Sequence, residues 1–372
     1  MTTQRPNEEC RTGKGAAPTR EPVDHADCNV APSEATRIRA PKERTAQADR
    51  ITELLDPCSE ENVVPQAPEL ATLDLPTEQQ GSTGSSPATK LQGAFDAVGR
   101  YRLRQRIGCG GFGEVWIAYD PTLRRMVATK IPRLSSLARA PWLPTAFWGE
   151  AVMAARAADR GCGVPVYDFG WDKKLPFIVM QLMEGSLLDV IREGPLSVRR
   201  ACSLMLALAK KLHRAHLSGI VHCDLKPSNI LLHTTGEVYP SDFCSSTEPG
   251  RTRHVALLGD AVLGTLPYMA PEQLEGKPHA YGCRTDCYAF GVIFYELLAG
   301  KRPFSGESTE EILERVKARD YVRLCELRPD VPKELSDLVD RCLSPLQSGR
   351  PEDARVIRTE LSRLLRRQKH RC

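Results

Sequence analysis

A chain of 372 residues that is 41% hydrophobic has room for two average domains, or for one two-lobed domain with a tail. Lys and Arg total 51 against 47 acidic residues, and a formal charge of +4 gives no argument for nucleic acid or a membrane surface as partner. Thirteen cysteines lie scattered with no Cys-x-x-Cys pair, the start has no apolar h-region, and no run of about 18 apolar residues occurs, so the expectation is a soluble cytoplasmic protein without a zinc framework or disulfide scaffold.

Residues 1–98 are rich in Pro, Glu, Thr, Ala and Gln, poor in aromatics, and close towards Gly81-Ser82-Thr83-Gly84-Ser85-Ser86-Pro87. Such a stretch buries too little apolar surface to offset chain entropy and reads as a disordered tail and linker. Residues 46–55 carry the pattern of one short helix, a candidate docking arm. From Tyr101 apolar residues alternate around Gly108 to Gly113 and on through Val115, Ile117 and Tyr119, the pattern of a hairpin with a glycine-rich tip. Ser197 starts a helix that Gly219 stops, with Ala201, Leu204, Met205, Leu208 and Leu212 on one face. Asp286 is placed to cap a second helix running to Gly300 through Phe290, Ile293, Phe294 and Leu297. Strand signals first and helix signals after them predict two lobes of an α+β fold. The basic stretch from Arg363 to Cys372 reads as a solvated helix end and not as a binding device.

The densest chemistry lies in Val221-His222-Cys223-Asp224-Leu225-Lys226-Pro227-Ser228-Asn229-Ile230. A carboxylate, an amine and a carboxamide share one short polar loop bounded by apolar residues. Phosphoryl transfer to a hydroxyl uses such a set: Asp224 to orient the attacking hydroxyl, Lys226 to offset charge on the transferring group, Asn229 to hold a metal ion. Upstream, Ile107-Gly108-Cys109-Gly110-Gly111-Phe112-Gly113-Glu114-Val115 contains Gly-x-Gly-x-x-Gly. Its glycines lead into a strand-like run and not into a helix, which argues against a dinucleotide fold and leaves backbone N–H groups open to phosphate oxygens. Lys130, inside the apolar run Val127-Ala128-Thr129-Lys130, needs a partner, for which Glu150 is the candidate.

The loop at Asp224 resembles the catalytic loop of eukaryotic-type (Hanks-type) serine/threonine protein kinases, His-Arg-Asp-Leu-x-x-x-Asn, and fits each fixed position except Cys223. The resemblance covers about residues 101–366 and implies a bilobal fold with a small β-rich lobe over 101–181, a larger helical lobe over 182–366 and a basic end at 367–372. It implies ATP and magnesium in the cleft and protein substrates carrying serine or threonine. Ile107, Gly108, Gly110, Gly113, Val115 and Ala128 would then border the nucleotide, with Lys130 on the α- and β-phosphates. Phe177 to Gly185 looks like the last small-lobe strand and the hinge, with Met180 as gatekeeper, backbone groups of Gln181 and Met183 on adenine, and Leu231 closing the site from below. Asp242 in Ser241-Asp242-Phe243-Cys244 stands in place of the family's Asp-Phe-Gly and would be the principal magnesium ligand beside Asn229. Gly264 to Glu272 matches the substrate-side segment ending in Ala-Pro-Glu, in which Thr265 would bond Asp224 and Glu272 would pair with Arg350. Asp286 would also hold the catalytic loop's backbone, and His216 and His222 read as satisfied core histidines.

Two positions depart from the pattern. Cys223 replaces an arginine that in many relatives grips a phosphorylated loop, so loop phosphorylation at Thr247 or Thr252 is not expected to be the main on-switch. Cys244 replaces a glycine, and Cys109, Cys223 and Cys244 would all lie near the nucleotide, open to a redox role. The alternatives are a pseudokinase on the same fold, which binds nucleotide without efficient transfer, and a small-molecule kinase, which shares the Asp-to-Asn loop but not Ala-Pro-Glu.

Overall fold

Runs rich in Val, Ile, Tyr and Trp build an antiparallel sheet from the first part of the folded region, and amphipathic and wholly apolar helices follow. The computed structural model describes residues 96–109, 113–133, 143–243, 266–306 and 308–369. They all belong to one unit within residues 65–372, and the short helix expected at 46–55 lies outside the described residues.

The six-stranded sheet comprises β1 (Ala97–Val98), β2 (Tyr101–Cys109), β3 (Glu114–Asp120), β4 (Arg125–Ile131), β5 (Val166–Asp172) and β6 (Leu175–Met180), in the order β1-β2-β3-β4-β6-β5. Val127 through Ile131 are all buried, so β4 is covered on both faces and carries Lys130 into the interior. Helix α1 (Leu143–Asp159) packs Phe147 and Ala151 on Ile178 of β6, which turns Glu150 towards Lys130. Tyr101, Ala118, Val127, Phe177 and Val179 form the core of this lobe. The sheet includes residues before the expected Tyr101: Val98 pairs with Tyr101 and is itself buried, which adds a two-residue strand to the sheet edge.

In the large lobe a small sheet is built from β7 (Gly185–Ser186), β8 (Ile230–Leu232) and β9 (Val238–Pro240), and the loop over 221–229 leads into its central strand β8, next to α2 (Leu187–Arg192). Helix α3 (Val198–Leu217) starts where expected: the Ser197 hydroxyl accepts from the Arg200 N–H, and Gly219, at φ +70°, follows its last turn. All five apolar residues read as its inward face are buried. The short α4 (Pro271–Leu274) precedes α5 (Cys283–Ala299), which is buried at every position from Thr285 to Leu298 and forms the axis of the lobe. Its cap differs from expectation. Gly282 is the N-cap, and Asp286 lies inside the helix with its carboxylate directed at another loop. Gly300 ends the helix in the left-handed region, as expected. Helices α6 (Thr309–Ala318), α7 (Leu324–Leu327), α8 (Lys333–Cys342) and α9 (Ala354–Lys369) complete the lobe, with α9 packed on α3 and α8 on α5. The basic C-terminal stretch thus continues α9 as far as Lys369, three residues past the expected boundary at 366. Among the described residues no helix is long and apolar enough to cross a membrane.

Candidate active site

Lys130 reaches the cleft from the buried strand β4, and its ammonium needs compensation there. It donates to the Glu150 carboxylate of α1 and, at 2.8 Å, to Oδ1 of Asp242 from the large lobe. Burial alone would push Lys130 down, but the charges of Asp242 and Glu150 more than reverse this and hold the ammonium well above the ordinary lysine range. Asp242 shows the matching effect: burial pushes its carboxyl up, while the charge and hydrogen bond of Lys130 bring it well below the carboxylate range. Lys130 is therefore charged and Asp242 ionised at neutral pH. The backbone of Asp242 sits at φ +58°, a left-handed conformation that aims the carboxylate at Lys130.

Asp224 is assembled from three directions. Lys226 Nζ lies 3.2 Å from its Oδ2, and Asn229 Nδ2 donates to its carbonyl at 2.9 Å and to Oδ2 at 3.1 Å. The amides of His222 and Cys223 both donate at 2.9 Å to the Asp286 carboxylate, which also meets His216 Nε2 at 2.9 Å. Burial pushes the Asp286 carboxyl up, but the His216 hydrogen bond and the neighbouring imidazoles outweigh it and hold the group below its ordinary range. Cys223 itself sits at φ +61°, so these contacts hold a strained turn immediately before Asp224. His222 links this loop to the segment at residues 241–243. Its Nε2–H donates to the Ser241 carbonyl at 2.9 Å, its Nδ1 accepts the Asp224 N–H at 3.3 Å, and its ring lies 4.5 Å from that of Phe243. Burial pushes this imidazole down. His216 also has both nitrogens engaged, with Asp286 and with the Ala354 N–H, so both histidines are satisfied groups of the scaffold.

Ser241 N–H donates to the Asn229 carbonyl at 2.8 Å, so Lys130, Glu150, Asp242, Asn229, Asp224 and Lys226 form one connected constellation. At the hinge, Met180 ends β6 and the Gln181 N–H donates to the Pro165 carbonyl at 2.9 Å, so of the Gln181 backbone groups expected to bond adenine the amide is already engaged. Met183 follows in the hinge, and Leu231 lies on β8, paired with Ser186 and Tyr239. Ala128 is buried on β4, Val115 faces Lys130 across the β3–β4 ladder, and Ile107 is 48% exposed on β2. Gly113 has a packing reason beyond any phosphate, since a Cβ there would lie 2.4 Å from the Ile131 carbonyl oxygen. Gly108 has no such crowding, its nearest neighbour being Val115 at 3.5 Å. Gly110, Cys244, Thr247, Thr252 and Thr265 lie outside the described residues, so the contact expected from Thr265 to Asp224 does too.

Glu272 and Arg350 meet as expected, in a two-pronged pair at 2.8 and 3.0 Å with the arginine side chain fully buried. Two contacts escaped the sequence reading. Gln273, directly after Ala-Pro-Glu, reaches back to the Cys223 carbonyl, and the Cys109 thiol contacts the Arg133 guanidinium. Neither partner is near in sequence, and the one available signal was the position of Gln273 itself.

Comparison with known proteins gives the same reading. The protein kinase domain family matches residues 101–361. Serine/threonine-protein kinase PknB of Mycolicibacterium smegmatis is 34% identical over 271 residues, covering 71% of this chain and 43% of that protein. Serine/threonine-protein kinase PknA of Mycobacterium tuberculosis is 33% identical over 252 residues, covering 65% of this chain and 56% of that protein. A probable serine/threonine-protein kinase of Clostridium acetobutylicum is 32% identical over 265 residues, 71% of this chain and 39% of that protein. The chain thus spans about half the length of these relatives, or less. With a two-lobed fold, a lysine–glutamate pair inside the small lobe, a bond from that lysine to Asp242 of the large lobe and an Asp-to-Asn loop beside it, the chain belongs to the protein kinase family of the Hanks type.

Proposed function

We propose that this protein transfers the γ-phosphoryl group of ATP to serine or threonine hydroxyls of protein substrates, with magnesium in the cleft. The observation that carries the reading is the bond from Lys130 of the small lobe to Asp242 of the large lobe, 112 residues away, beside Asp224. The donor set fits the metal: Asp242 supplies carboxylate oxygen, and Asn229 gives its amide nitrogen to Asp224, while its carbonyl oxygen takes a long 3.4 Å contact from the Ser228 hydroxyl and has a second lone pair for a hard cation. Magnesium bound there supplies charge neutralisation on the phosphate oxygens.

The chain's own residues do the rest. Asp224, 26% exposed at its side chain, faces the cleft and accepts the hydrogen bond of the incoming hydroxyl, fixing its line of attack. Lys226, at 3.2 Å from Asp224, lies where negative charge grows in the transition state. Lys130, clamped between two carboxylates, is held in one place to receive phosphate oxygens. The relatives' names, all serine/threonine-protein kinases, support the choice of acceptor. Residues 1–98 are a candidate arm for docking substrates, and deleting 1–95 would then weaken phosphorylation of a partner while sparing autophosphorylation.

Purified protein given γ-labelled ATP and magnesium is expected to incorporate label on serine or threonine, and Asp224→Asn to lose nearly all of it. Equal labelling of both proteins, or none in the wild type, would overturn the assignment and favour a binding module.

A further inference from the structure

The acceptor-side turn and the catalytic loop are joined by one side chain that the phosphoryl-transfer chemistry does not use. Gln273 lies in α4, immediately after the Ala-Pro-Glu segment. Its Oε1 accepts the Ala270 N–H at 3.1 Å, and its Nε2 donates to the Cys223 carbonyl at 2.6 Å, 50 residues back along the chain. The partners dictate the carboxamide's orientation, since an amide N–H only donates and a carbonyl only accepts. Capping of the short helix explains the first bond and leaves the second unexplained, because the cap needs no donor.

We propose that Gln273 is a positioning residue for Asp224, tying the turn that faces the acceptor to the loop that orients it. The proposal rests on the kinase reading. Three observations carry it. Cys223 holds a left-handed φ of +61°, a conformation that persists when its surroundings over-determine it. Asp286 secures the N–H of that residue, in the peptide before it, and Gln273 secures its carbonyl, in the peptide that leads to Asp224. Ala270, at the other end of the carboxamide, is fully buried, so the bridge is anchored in the core and does not swing with solvent. A shift of the acceptor-side turn is therefore transmitted to the peptide adjoining Asp224.

Three readouts test this. Gln273→Met, of similar shape but without either bond, is expected to lower kcat about five- to tenfold with KM for ATP within about twofold, the size of one lost hydrogen bond. Gln273→Glu keeps the acceptor for Ala270 and sets a carboxylate against the Cys223 carbonyl, so it is as slow as Gln273→Met at pH 8. Protonation restores the donor, and its rate relative to wild type is expected to rise about threefold or more towards pH 6. Asp224, Asp286, Tyr268 and Cys223 border the same small pocket and are common to both proteins, so the ratio isolates the change made at 273. Deuterium exchange in Gln273→Met is expected to rise over residues 222–226 and stay unchanged in α5, a readout that holds even if the wild type shows no turnover. A ratio flat in pH, a kcat within twofold of wild type, or unchanged exchange at 222–226 would each overturn the proposal. So would a fall in melting temperature of both variants with kcat preserved, which would make Gln273 a helix cap alone.

Discussion

Replacing Asp286 removes the one carboxylate on which the catalytic loop hangs. In the structure it accepts two buried backbone N–H groups, from His222 and Cys223, and one part-buried imidazole contact, each at 2.9 Å. Asp286→Ala strands both amides in the interior, at about 1–3 kcal/mol each, so a loss of about 2–6 kcal/mol is expected. Asp286→Asn still accepts one of the two and turns an NH2 towards the other, so it falls between alanine and wild type. Activity drops further than stability, because the strained Cys223 peptide relaxes and carries Asp224 with it; a displacement of about 1 Å costs roughly a hundredfold in rate. Urea unfolding gives the stability, and steady-state phosphorylation gives kcat and KM for ATP, the latter expected to change little because Lys130, Glu150 and Asp242 are untouched. The pH dependence has a definite sign. Asp286 is held below its ordinary value of 3.8, so its contribution is present above about pH 4 and fades as the pH falls through the lowered value. An alanine variant within about 1 kcal/mol of wild type that retains kcat would refute the anchoring role.

The fully buried Arg350 also donates to the Ser344, Pro345 and Arg284 carbonyls, so Arg350→Met strands the Glu272 charge and should cost about 3–5 kcal/mol in urea unfolding; a loss under 1 kcal/mol would show that the pair is replaceable. Lys130→Met leaves the Glu150 and Asp242 carboxylates facing each other without their shared cation, and kcat/KM for ATP should fall about a hundredfold or more; near-normal nucleotide affinity would count against the grip assigned to it. Replacing Thr247 and Thr252 together with alanine should leave most activity intact, and a collapse of the rate would restore loop phosphorylation as the on-switch.

The catalytic constellation was legible because its members lie in short motifs whose order and offsets are themselves the signal. Asp242, thirteen positions past Asn229, falls beside Lys130 as that offset implies. Helical periodicity was equally informative for α3, where a hydroxyl cap and a left-handed glycine bracket an apolar stripe. Asp286 was read in two ways with opposite outcomes. As an acid near a helix start it reads as a cap on local grounds, yet the helix begins at Cys283; the resemblance had it holding the loop at Asp224, and its bonds to amides 63 and 64 residues away bear that out. Gln273 illegibly mixes both roles, one bond local and one distant. The strand at Ala97–Val98 escaped because two residues carry no periodicity, and only pairing with Arg102 and Tyr101 defines it. Gly113 was read as a phosphate glycine, while its own neighbourhood gives a second reason, the closeness of the Ile131 carbonyl.

Cys223, one of the two departures from the family pattern, bears on this division between local and distant contacts. The turn before Asp224 is held through the main chain of residue 223: its N–H by Asp286, its C=O by Gln273. Neither bond depends on which side chain stands there. Asp224 is then oriented through its own carbonyl and carboxylate by Asn229 and Lys226, again without residue 223. Replacing arginine by cysteine therefore changes what the side chain can grip and leaves the geometry of the attacking position in place. Cys223→Ala, which keeps a Cβ and the same main-chain bonds, is expected to retain kcat within about threefold, less than one ordinary hydrogen bond is worth. A hundredfold loss in that variant, with folding intact, would show that the thiol and not the peptide holds the loop, and the main-chain account of Asp224 would fail with it.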